Sequence, residues 1–191
     1  WNSLPPTIVV ELLMFAAGLW LALSATRARD RLGRRGFVGL AVLLLLIYAA
    51  WHDVSTMTIP NWVSIVLGVT FIPAALTAGL SLDQIGMHLV FGAIVLVVCA
   101  GLFYLNVFGG GDAKVIAAAS LWTGLAASAP FVLGMAIAGG ALAGVLIVMR
   151  RMKVTSSKPW LNRLMSPEEG APYAVAIAVG ALMAAPASPV L

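Results

Sequence analysis

The sequence predicts an all-α polytopic membrane protein with a core of six transmembrane helices and one extra N-terminal apolar segment. Of the 191 residues, 62% are hydrophobic and only 9% are charged, whereas a soluble domain carries roughly 25% charged residues. The mean hydropathy is +1.04. The apolar residues also occur in long runs, and about 20 such residues are enough to cross a bilayer core as a helix.

These apolar runs set the domain organisation. The first run covers residues 7–25 and is followed by five arginines, so residues 1–35 are predicted to form an extra segment with a basic loop. Six further runs define a core over residues 36–191. They cover residues 36–51, 62–79, 85–105, 113–127, 131–149 and 171–185.

The charge and the cysteine content exclude several classes of function. The net charge of +4 does not indicate nucleic-acid binding, because most basic residues cluster in two short stretches between apolar runs. Such clusters are typical of loops that contact lipid headgroups, so the lipid bilayer is the expected partner. The single cysteine, Cys99, lies inside an apolar run, and the chain can therefore form neither an internal disulfide nor a Cys-rich zinc site.

Two aspartates at the ends of apolar runs are the candidate functional residues. Asp112 follows three consecutive glycines, 109–111, which are predicted to form a loop or unwound backbone because glycine weakens a helix interior. Asp53 ends an earlier run. An ionisable residue near membrane depth is costly and suggests function. Two crossings, residues 62–79 and 85–105, lie between the aspartates, so both are expected on the same side of the membrane.

The chain after Asp53 carries the signals of a short loop and a helix start. Ser55, Thr56 and Thr58 are polar and are expected to lie in the loop. Pro60 disfavours helix for the residue before it and is tolerated at a helix start. A helix is therefore predicted to begin near Asn61.

Other polar and small residues have local interpretations. Asp83 is expected in the first turn of a helix, where an acidic side chain is favourable, and His88 is expected to be structural. His52 is open to two interpretations, an interfacial polar residue or a group that tunes Asp53. Gly140 and Gly144 stand four residues apart and are predicted to mark a helix-packing face.

Three short motifs follow one another along the chain and carry a resemblance. They are Asp53 followed six residues later by Ile59-Pro60-Asn61, the box Gly109-x-Gly111-Asp112-Ala113-Lys114, and the sequence Pro172-Tyr173-Ala174-Val175-Ala176-Ile177. In this order and spacing they resemble the type IV prepilin peptidase family, whose members are GxGD aspartyl proteases. The size of the chain resembles the short branch of that family, which serves tight-adherence (Flp) pili.

The resemblance implies an aspartic endopeptidase that cuts a prepilin between its basic leader and its hydrophobic helix. It implies Asp53 and Asp112 as the catalytic residues, and a site with no metal and no cofactor. Site-supporting roles would fall to Ile59, Pro60, Asn61, Gly109, Gly111 and Lys114. It further implies a bacterial inner (cytoplasmic) membrane location with a cytoplasmic active site, and a possible link to pilus-assembly machinery.

The sequence also departs from the longer members of that family. Those members carry a cytoplasmic insert with paired CxxC motifs and a second, methylating activity. No such insert occurs between the motifs of this chain. The resemblance therefore extends to the peptidase activity and not to N-methylation of the product.

Two carboxylates in one site predict a specific chemistry. They cannot both ionise cheaply, so the pair shares one proton. The ionised member can then take a proton from water while the protonated member polarises the scissile carbonyl. Which aspartate takes which part is a property of the pair and stays open. The role of Lys114 also stays open between attraction of an acidic substrate residue and snorkelling to the membrane surface.

Two rival functions share some of these features. A proton-coupled transporter also uses intramembrane aspartates and broken helices, although the chain shows no internal repeat. A catalytically silent subunit of a pilus-assembly machine would tolerate the loss of one aspartate, yet both are present. Lys and Arg residues do not settle the orientation, since six fall on the aspartate side and five on the other.

Overall fold

A computed structural model describes residues 33–107, 109–152, 159–166 and 169–191, and this part of the chain is helical without strands. The predicted N-terminal apolar segment and almost all of the basic loop lie outside the described residues. The helices are α1 (Gly33–Thr56), α2 (Asn61–Thr77), α3 (Leu82–Tyr104), α4 (Gly110–Thr123), α5 (Ser128–Arg151), the short α6 (Pro159–Leu164) and α7 (Ala174–Ala184), with a 3-10 turn, Ala185–Ala187.

The described helices confirm the membrane character of the chain. Each of the six predicted apolar runs coincides with one of the longer helices, with ends shifted by a few residues. Gly36–Thr56 within α1, together with α3 and α5, is long and apolar enough to span a bilayer, and α2 and α7 are apolar but shorter. The count of six transmembrane helices therefore stays a prediction.

Two predicted helix starts are observed with their physical causes. Pro60 precedes the first residue of α2 in an extended conformation, and its carbonyl accepts a hydrogen bond from the Val63 N–H. Ser81 caps α3, because its hydroxyl accepts from the Gln84 N–H while the Gln84 side chain accepts from the Ser81 N–H. Asp83 lies in the first turn of α3, as predicted.

α4 is the most enclosed of the long helices and packs against α2, α3 and α7. At its end, the Trp122 indole N–H donates to the Leu67 carbonyl of α2 at 2.9 Å. His88 of α3 bonds the Leu121 carbonyl through Nδ1 at 2.6 Å and stacks on Phe71. His88 therefore has the structural role predicted for it. These contacts hold the C-terminal end of α4, which is the end away from Asp112, between α2 and α3.

α5 and α7 form the most extensive helix pair, and the predicted packing face of α5 is wrong. A Cβ on Gly134 would lie 3.0 Å from the Cα of Gly180, so these two glycines allow the backbones to approach closely. Gly140 and Gly144 are exposed, and a Cβ on either would meet nothing within 4 Å. Spacing alone could not identify which side of α5 faces α7.

Candidate active site

Asp53 lies in the last turn of α1 and is buried, with 6% of its surface exposed. Its Oδ2 accepts a hydrogen bond from the backbone N–H of Ala174, at 3.2 Å. Ala174 is the first residue of α7, and the first N–H groups of a helix have no partner within that helix. The Asp53 carboxylate therefore pairs with an N–H group at the start of α7 that has no partner within the helix.

The predicted loop after Asp53 begins later than the sequence suggested. α1 continues through Ser55 and Thr56, and their hydroxyls donate to the carbonyls of Trp51 and His52, each at 2.8 Å. Ser and Thr side chains commonly bond the carbonyl four residues earlier when they lie within a helix. The prediction that Ser55 and Thr56 lie in the loop is wrong, whereas Thr58 does lie outside the helix.

His52 organises this turn. Its Nδ1 lies 2.8 Å from the Thr58 carbonyl oxygen and 3.0 Å from the Thr56 hydroxyl. The same ring lies near Tyr48, with ring centroids 5.9 Å apart. Through these contacts His52 shapes the turn that leads from Asp53 to α2.

Asp112 lies in the first turn of α4, so the prediction of unwound backbone through all three glycines is wrong. Gly109 is extended and precedes the helix, while Gly110 and Gly111 are its first two residues. Glycine weakens a helix interior, but these glycines stand at a helix start. Asp112 accepts a hydrogen bond from the Gly109 backbone. Its Oδ1 is buried and has no hydrogen-bond partner among the described residues.

The two aspartates come together although they belong to different helices. The two carboxylates lie close enough to interact electrostatically. Neighbouring carboxylates repel when both are charged, and a pair of this kind favours the state that holds one proton. The arrangement can thus provide one acid and one base at the same place.

The site-supporting residues predicted from the motifs link α2 to α4. The Lys114 ammonium donates to the Asn61 side-chain oxygen at 2.9 Å. A Cβ on Gly111 would lie 3.3 Å from the Cβ of Ile59, so the absence of a side chain at Gly111 lets Ile59 approach. Together with Pro60, which precedes α2, these contacts hold residues 59–61 against the first turn of α4.

Sequence reasoning missed the Ala174 N–H as a partner of Asp53. The motif around Pro172 and Tyr173 was noticed, but its connection to Asp53 was not. The available signal was Pro172 at the beginning of an apolar run, because a proline there marks a helix start with unpaired N–H groups. Nothing in the sequence indicated which carboxylate those groups would meet.

An open cavity of about 320 Å³ lies between α2, α3 and α4, with Lys114 among its lining residues. Its walls are largely apolar and include two glycines. The lining residues include Gly68, Gly92, Lys114 and Leu121. A Cβ on Gly92 would require the Leu121 side chain to move, whereas a Cβ on Gly68 would meet nothing within 4 Å. The space beside Gly68 is therefore open.

The fold and the site define an α-helical membrane protein with a paired-aspartate centre built from two helix ends. A model of the type IV leader peptidase family matches residues 40–144, more than half of the chain. The chain belongs to that family, which supports an aspartic-type leader peptidase function in general terms. The matched range contains both aspartates and ends before Pro172. Comparison with curated proteins and with solved structures found no match.

Proposed function

We propose that the protein is a prepilin leader peptidase of the short, Flp-type branch, with Asp53 and Asp112 as its catalytic residues. It hydrolyses the peptide bond between the basic leader and the hydrophobic helix of its substrate. The observation that carries the proposal is the meeting of two carboxylates from α1 and α4, within a chain of the leader peptidase family.

The chemistry follows from the shared proton of this pair. The ionised carboxylate removes a proton from an attacking water, and the protonated carboxyl donates a hydrogen bond to the scissile carbonyl. The carboxyl that took the proton from water then gives it to the leaving amine, so the C–N bond of the tetrahedral intermediate breaks without a covalent enzyme intermediate. The buried Oδ1 of Asp112, which has no partner among the described protein groups, supports a direct role of this oxygen toward water or substrate.

The residues around the pair support this chemistry by holding it in place. The Ala174 N–H fixes one oxygen of Asp53, and the Gly109 backbone holds the Asp112 carboxylate. The Lys114–Asn61 hydrogen bond ties the Ile59-Pro60-Asn61 turn to α4. Positioning of this kind contributes a large part of an enzyme's rate enhancement, because the reacting groups are already aligned when the reaction begins.

The cavity between α2, α3 and α4 is the proposed place for the apolar residues of the substrate. It is walled by apolar side chains, and it begins at Lys114, two residues from Asp112. A few apolar side chains of a substrate that enters from the bilayer can therefore occupy it while the polar end of the substrate reaches the aspartates. Lys114 is exposed and stands at the polar end, where it can face an acidic group of the substrate.

The membrane placement is also part of the proposal. The six longer helices cross the bacterial inner membrane, and both aspartates face the cytoplasm. The prepilin leader is basic and stays on that side, which favours this orientation. Pilus-assembly proteins are the expected neighbours of such an enzyme.

The direct test incubates the purified protein in detergent with a synthetic prepilin-like peptide that carries a basic leader and an apolar segment. One cut at the junction of the two parts is expected. A protein that leaves the peptide intact, but moves protons across vesicles in a manner that depends on both aspartates, is a transporter instead.

A further inference from the structure

Arg150, near the end of α5, holds two separate pieces of backbone. Its Nε and Nη2 donate to the Leu164 carbonyl at 3.2 and 3.0 Å, and Nη2 also donates to the Gly170 carbonyl at 2.9 Å. The side chain is half-buried. A guanidinium can reach two carbonyls at once because its N–H groups form a fixed fork, which an ammonium does not have.

The first of these pieces, α6, rests beside the catalytic end of α1. Leu164 and Met165 are buried against Leu146 of α5, in a cluster that also includes Met57 and Trp160. α6 also contacts α1, whose last turn carries Asp53. Arg150 therefore holds α6 at the end of the molecule where the aspartates lie.

The second piece leads directly to Asp53. Gly170 precedes Ala174 by four residues, and the Ala174 N–H donates to Asp53 Oδ2. Pro172 lies between them, is fully buried and has a fixed φ angle. Pro172 restricts the conformations of this short segment, so the Gly170 carbonyl and the N–H that holds Asp53 are linked through it.

We propose that Arg150 is a positioning residue for Asp53, acting through the segment from Gly170 to Ala174. The inference rests on the proposed peptidase function. Arg150 also has the position of an ordinary membrane-surface cation, and that role alone would be filled equally by lysine. The neighbouring Arg151 is exposed at the same end of α5 and provides the matched control.

The test compares Arg150→Lys and Arg150→Gln with Arg151→Lys and Arg151→Gln in cleavage of a synthetic prepilin-like peptide. We expect both Arg150 variants to lose kcat by roughly 10- to 100-fold, because a shift of about 1 Å in a reacting group can have that effect. KM should stay within about twofold, since the substrate cavity is not touched. Both Arg151 variants should match the wild type.

A second variant keeps the proposal testable if the Arg150 variants fold poorly. Pro172→Gly loosens the connecting segment without touching Arg150, so it should lower kcat in the same way. Combining it with Arg150→Lys should add little, since both changes act on one link. Full kcat in Arg150→Lys or in Pro172→Gly, or a loss confined to KM, would overturn the proposal. Wild-type protein that cuts no peptide would instead contradict the proposed function.

Discussion

Gly109 lies so close to Asp112 that a Cβ on the glycine would be 3.1 Å from Oδ2 of the aspartate. The next two glycines have different neighbours. A Cβ on Gly111 would press on Ile59 at 3.3 Å, whereas a Cβ on Gly110 would make an ordinary contact with the Phe103 ring at 3.4 Å or more. The motif Gly-x-Gly-Asp therefore has a steric meaning, because only its first and third positions face the site.

We expect Gly109→Ala to lower kcat by roughly 10-fold, because the added methyl group displaces the Asp112 carboxylate by a few tenths of an ångström. The φ angle of Gly109 is −70°, so alanine fits the backbone and the effect is confined to the contact. Gly110→Ala is the matched control and should cleave the peptide like the wild type. Equal activity of the two variants would show that the close approach of Gly109 has no part in placing Asp112.

The sequence was informative where a motif corresponds to a local requirement. The order of the motifs and the count of crossings placed Asp53 and Asp112 at one end, and the proline signal placed the start of α2. The three glycines were misjudged, because the penalty for glycine applies to helix interiors and not to the first turn. Sequence alone does not distinguish these cases.

Contacts between distant parts of the chain were beyond sequence reasoning. Arg150 was counted only as a charge for membrane orientation, since no local pattern reveals that its guanidinium bridges two carbonyls. The packing face of α5 was misplaced for a similar reason. Gly134 and Gly180 meet only because α5 and α7 lie side by side, and that pairing is decided by the whole bundle.

The cavity proposed for the substrate predicts a separation of KM from kcat. Gly68→Leu should fill part of the cavity and raise KM roughly tenfold or more, with little change in kcat, because the aspartates are not touched. The fold should tolerate the change, since a Cβ at Gly68 meets nothing within 4 Å.

Gly101→Leu is the control for this variant. Gly101 lies in the apolar helix α3, is exposed and also has open space around its Cα, but it does not line the cavity. The KM of each variant, Gly68→Leu and Gly101→Leu, is measured by steady-state kinetics with the synthetic peptide. Unchanged KM in Gly68→Leu would place the apolar part of the substrate elsewhere.

The crossing count predicts which positions share a side of the membrane. In a Cys99→Ala background, cysteines at Thr58 and Val107 should react with a membrane-impermeant maleimide from one side, and a cysteine at Leu82 from the other. All three positions are exposed at helix ends or turns. Labelling of Thr58→Cys and Val107→Cys from opposite sides would contradict the shared location of the aspartates.

Cleavage should not depend on a metal ion, because the paired carboxylates supply both the acid and the base. In the described part of the chain, no three His, Cys, Asp or Glu side chains come together as a metal site would require. The rate in EDTA should therefore equal the rate without it. Loss of cleavage in EDTA, with recovery after zinc is added, would require a different mechanism.

The two aspartates should behave as one functional unit. Asp53→Asn and Asp112→Asn should each reduce cleavage by roughly 10²- to 10⁴-fold, because asparagine keeps the shape of the group but can neither accept nor share the proton. Asp83→Asn, in the first turn of α3, removes a carboxylate elsewhere and should leave cleavage unchanged. Size-exclusion profiles of all the variants should match the wild type.

The double variant should be hardly slower than either single one, because residues that act together lose most of their effect with the first deletion. Two losses that multiply, or near-normal cleavage by either single variant, would rule out the shared-proton mechanism.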